Sequence, residues 1–258
     1  MRLLISILIA LTSFPLLSQV SFHSEFEKRA FELQDPLQII IGSSPEISFT
    51  QYTEIRNELD DLLSKLKDKK GKYDRTDEFL EWAFYYTHRK MLGWYENYVS
   101  FSELFSSGKY DCLTGTILYS IILDEVDIPY TIHEFDYHIF IVVNLPEKDI
   151  LIEATDPLDG FIKDNSVIQE RVEHFISSNE KNPSPMGVGH SQKELHGTKL
   201  VKENIDLKKL AGLQYYNLAI RSYNLQDYKA ATDFIKKAEI LYPCDRIFQT
   251  RDLMFEML

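Results

Sequence analysis

Basic side chains are scarce in this chain. Twenty-eight Lys and Arg stand against 40 Asp and Glu, a formal charge of −12, and such a field repels phosphate and argues against nucleic acid or an anionic membrane surface as the main partner. Cysteine is scarcer still. The two residues, Cys112 and Cys244, cannot build a disulfide framework, and no paired Cys motif offers a zinc site, so neither metal nor cofactor is expected. Long apolar runs are missing beyond the N-terminus, which leaves no later segment able to span a bilayer. What is present is an ordinary globular balance, 44% apolar and 26% charged over 258 residues, which excludes disorder throughout.

The opening MRLLISILIALTSFPLLSQ places one early charge, Arg2, before an apolar run from Leu3 to Leu11 and then small and polar residues. That order is the pattern of a secretory signal peptide. Thr12, Ser13 and Pro15 cut the run too short for a stable anchor, so residues 1–19 are expected to be removed and the protein to be secreted or periplasmic. Residues 20–75 read as a helical segment with a helix expected over Phe49–Leu66, and a charged loop, Lys67–Asp74, leads to a second helix expected over Thr76–Tyr95. The dense apolar face of the second, with Phe79, Leu80, Trp82, Phe84 and Tyr85, marks it as core. A core unit is expected over 76–164, a helix and flexible linker over 165–206, and a helical hairpin over 207–258, made of Leu210–Leu225 and Tyr228–Leu241 and stopped by Pro243.

Within the core unit, Asp111 stands where a helix cap belongs. The run Cys112–Glu125 behind it is apolar on most sides, as a buried helix requires. Strand-like segments follow at Tyr130–Phe135, Tyr137–Leu145 and Ile150–Thr155. A thiol in the first turn of a helix meets unpaired N–H groups and the positive end of the dipole, which favours its anion, so Cys112 is the expected nucleophile with a depressed pKa. A turn over Pro146–Lys148 pairs Leu145 with Asp149 and carries His138 opposite Asp156. Asp156 is therefore the expected carboxylate orienting His138, with Glu153 as the fallback. A carboxylate that holds one imidazole nitrogen leaves the other to take the thiol proton. The Cys112 N–H is the natural oxyanion donor, with Tyr110 and Trp94 as side-chain candidates. His133 and His138 have opposite strand parity, which argues against a shared metal. A Cys112–Cys244 disulfide is the competing reading for an exported chain.

The segments Tyr110–Thr116, Tyr137–Ile141 and Ile152–Gly160 resemble the transglutaminase-like superfamily, the branch of papain-type folds with Cys, His and Asp in that order, over roughly Glu78 to Phe161. The resemblance implies an α+β fold with a nucleophile helix packed on an antiparallel sheet, and it assigns Cys112, His138 and Asp156 by motif position. Tyr215, Leu218, Ala219, Ala231, Ala238 and Pro243 fall at the spacing of a tetratricopeptide repeat, which implies two paired helices that dock on the core or on a protein partner. The function expected is thiol-dependent acyl transfer on a peptide or protein substrate, with hydrolysis favoured because water needs no second binding site. The rival is a non-catalytic peptide-binding module on the same fold.

Overall fold

The computed structural model describes residues 20–135, 138–181 and 205–256. The expected signal segment 1–19 and most of the expected linker, residues 182–204, lie outside them. Helix α1 (Glu25–Leu33) starts at Ser24, whose hydroxyl accepts the Glu27 N–H at 3.0 Å, and α2 (Pro36–Ile41) starts at Asp35. Helix α3 (Phe49–Lys70) runs into the stretch expected to be loop, and α4 (Thr76–Met91) stops before the expected Tyr95. It stops because Gly93 and Trp94 donate to the Gly108 carbonyl, turning Trp94–Tyr95 into a short strand, β1. After α5 (Glu103–Ser107), Gly108 takes a φ of +70° that a side chain would strain. The chain then runs as β2 (Lys109–Tyr110), parallel to β1, straight into α6 (Cys112–Glu125).

Helix α6 is buried on nearly every side and packs on an antiparallel sheet of β3 (Tyr130–Glu134), β4 (Ile139–Asn144), β5 (Asp149–Ile152) and β6 (Phe161–Ile162), in that order. The pleat separates two faces. Ile139, Ile141, Val143, Ile150 and Ile152 join the main core with α6, while Phe140, Val142 and Leu151 face α7 (Asn165–Lys181) through Ile168, Val172 and Phe175. The architecture is mixed helix and antiparallel sheet, in keeping with the α+β expectation. No described helix is long and apolar enough to cross a membrane.

The tail forms α8 (Leu207–Asn224), α9 (Tyr228–Leu241) and a further helix, α10 (Asp245–Glu256), beyond the Pro243 at which helix was expected to end. Ala219 and Ala231 are fully buried, and α8 packs on α2 and α6. Polar contacts reinforce this docking. Gln214 donates to the Val99 carbonyl at 3.0 Å, Tyr242 to Glu134 at 3.0 Å, and Arg246 also pairs with Glu134.

Candidate active site

Asp111 caps α6 in a reciprocal box. Its carboxylate accepts the Thr114 N–H at 2.8 Å, and the Thr114 hydroxyl accepts the Asp111 N–H at 2.8 Å. The next turn has no room for a side chain. A Cβ on Gly115 would stand 2.5 Å from the Cβ of Ala154, so the glycine lets the start of α6 press against the turn that follows β5. His88 ties α4 to the same turn, donating to the Ala154 carbonyl at 3.2 Å. Burial pushes its imidazole below the usual histidine range.

The strand register decides which carboxylate meets His138. Leu145 N–H bonds the Lys148 carbonyl, so the turn holds only Pro146 and Glu147, and Asn144 pairs with Asp149. This is one residue tighter than the sequence suggested, and a one-residue slip exchanges the faces of a strand. Glu153 then shares a face with Leu151 and Phe140 and becomes the diagonal neighbour of His138. Its Oε2 accepts from His138 Nε2, and its Oε1 accepts the Thr155 N–H at 3.1 Å and the Thr155 hydroxyl at 2.7 Å. Glu153 is 3% exposed. Asp156, the expected partner, does not meet His138. Its Oδ1 accepts the Asp159 N–H at 2.9 Å and its Oδ2 pairs with Arg171 of α7 at 3.4 Å. Against the pull of burial, those two contacts hold its carboxyl below the usual range.

Cys112 is partly buried, and Thr116, one turn further along the same face of α6, donates to the carbonyl of Ile139, the residue after His138, at 3.4 Å. No hydrogen bond joins the thiol to His138. The expected depressed pKa is reversed. Burial pushes the thiol up, the Asp111 and Glu153 carboxylates add to this, and the Ile139 and Leu113 N–H groups oppose them. Burial, with those two acids, outweighs the helix start. Cys112 and Cys244 are both free thiols, so the disulfide reading is set aside. Cys244 itself lies at a helix start, since its carbonyl accepts the Phe248 N–H at 3.0 Å in α10.

The two side-chain oxyanion candidates are placed differently. The Trp94 indole N–H is committed to the Ser107 carbonyl at 3.1 Å. Tyr110 is buried, its ring edge-on to His88 at 5.7 Å and to Tyr95 at 6.1 Å. Tyr95 was not anticipated. Its ring stands edge-on to Tyr110, two residues before Cys112, and its hydroxyl donates to Asn97 at 2.7 Å; partial burial, then Cys112 and Asp111, push its phenol up to about 12. Phe175 was also missed as a site residue. Its ring stacks on the His138 imidazole, 4.6 Å between centroids and 22° between planes. Comparison with protein-family models, curated proteins and solved structures finds no match to this chain.

Proposed function

We propose that the protein is an exported, thiol-dependent acyl-transfer enzyme that hydrolyses amide or peptide bonds through a Cys112 thioester, with Glu153 in the orienting role. The observation carrying this reading is the His138–Glu153 pair at the strand end against which the first turns of α6, which carry Cys112, are packed through the Thr116–Ile139 hydrogen bond. Glu153 holds Nε2, which leaves Nδ1 as the nitrogen able to take a proton. The resting thiol is neutral, so the base acts as substrate arrives, and catalytic hydrogen bonds that are absent without substrate can close in its complex. Sγ adds to the carbonyl carbon as its proton passes to Nδ1, and the Cys112 N–H at the start of α6 faces the developing oxyanion. The C–N bond breaks, the amine leaves with the proton from imidazolium, and a thioester remains. Water, deprotonated by His138, then attacks the thioester, releasing the acid and restoring the thiol.

The raised thiol and the missing Cys112–His138 bond favour a second reading, a binding module on the same fold. Alkylation of Cys112 against pH separates the two, in a Cys244→Ser background because both thiols sit at helix starts. An imidazole that acts as general base when an electrophile occupies the site contributes about a hundredfold or more, so His138→Ala is expected to slow Cys112 at least about tenfold near neutral pH. Glu153→Gln is expected to slow it less. Indifference of Cys112 to His138→Ala would establish the binding module instead.

A further inference from the structure

Helix α7 lies over the face of the sheet that bears His138, and it grips the site twice. Phe175 stacks on the imidazole at 4.6 Å and also packs on Phe135 at 5.4 Å and Phe140 at 5.6 Å. One turn earlier, Arg171 pairs with Asp156 at 3.4 Å, in the same turn that carries Glu153. Ile168, Val172 and Phe175 are spaced as one helical face, and that face closes the smaller apolar cluster over Phe140 and Leu151.

An imidazole bonded to one carboxylate can still rotate about that bond. A ring packed flat against it removes this freedom, and it also keeps water from a charge-assisted bond that is stronger when dry. We propose that Phe175 is a positioning residue of the reaction: it fixes the ring plane of His138 so that Nε2 stays on Glu153 and Nδ1 stays available to Cys112. Arg171 supports it by anchoring the Glu153 turn through Asp156, which gives Asp156 a role as the latch of α7. This inference rests on the catalytic reading of Cys112, His138 and Glu153.

The test uses the full chain with Cys244→Ser and follows alkylation of Cys112 by iodoacetamide across pH, for Phe175→Ala, Phe175→Tyr and Arg171→Ala, each with His138 present and with His138→Ala. Phe175→Ala is expected to slow Cys112 about ten- to a hundredfold around neutral pH. Phe175→Tyr should restore the rate and Arg171→Ala should give a smaller loss. None of the three should change the rate further once His138 is gone, which separates positioning from general loosening. Overturning results are an unchanged or faster Phe175→Ala, or an equal loss in the His138→Ala background. Arg171 is half-buried and outside the apolar cluster that Phe175 closes, so its variant still reports should Phe175→Ala fold poorly. If His138→Ala alone does nothing, the catalytic reading has failed rather than this one.

Discussion

One missing methyl sets how closely the nucleophile helix approaches its sheet. Alanine is the better helix former by about 1 kcal/mol, yet at Gly115 its Cβ would lie 2.5 Å from that of Ala154, inside any tolerable contact. Overpacking of this kind costs about 1 to 3 kcal/mol. Gly115→Ala is therefore expected to lower stability in urea denaturation despite the gain in propensity; an unchanged or raised midpoint would show that α6 does not press on that turn. Cys112 and His138 were legible at this scale because helix-start and strand patterns mark them. Glu153 was legible only as the weaker choice, since Pro146-Glu-Lys-Asp149 admits turns of different length and one residue decides the face. The thiol's direction of titration was illegible because burial dominates it, and the neighbouring Asp111 and the folded-in Glu153 add to it.

At the scale of elements, apolar runs and caps located α6, β3, β4 and β5 close to their observed bounds. Alternation alone could not fix register, and the C-terminal end of α4 depended on a carbonyl beyond it in sequence, that of Gly108. Helix α10 was missed because Pro243 reads as a stop, although Ile247, Thr250 and Met254 keep a helical spacing on its buried side. The cap of α6 carries a consequence for pH. Burial raises the Asp111 carboxyl to about 6 from an ordinary 3.8, against the pull of the Thr114 N–H. A raised folded pKa contributes stability that is complete below 3.8 and lost as pH climbs through about 6. The span corresponds to roughly 3 kcal/mol. Asp111→Asn keeps the cap but cannot ionise, so its stability between about pH 4 and about pH 7 should be flatter than that of the parent. Urea midpoints at the two pH values check this, and a slope that survives in Asp111→Asn would assign it to other groups.

Across the whole molecule, the first helix and the tail are joined by a charge pair far apart in sequence. Lys237 of α9 donates to Glu27 of α1 at 2.6 Å, with side chains 2% and 0% exposed, and Tyr215 of α8 donates to the same oxygen at 2.8 Å. The rings of Phe22, Tyr215 and Phe234 surround the ammonium at 5.5 to 5.6 Å, so the site supplies both a counter-ion and cation–π contacts. The main core runs unbroken from Phe26 through α6 and the sheet to Met254, which makes the tail part of one folding unit rather than an appended arm. Removing one member of a buried pair strands the other charge and costs about 3 to 5 kcal/mol, whereas replacing both by groups of similar shape can be nearly neutral. Lys237→Met is therefore expected to lower stability by that amount in a single cooperative transition seen alike by far-UV circular dichroism and by fluorescence. Glu27→Gln combined with Lys237→Met should recover most of the loss, because the stranded carboxylate is gone. Two separate transitions, with the tail melting first, would refute the shared core; a double variant no better than Lys237→Met would show that packing of the lysine stem, not charge, holds the two ends together.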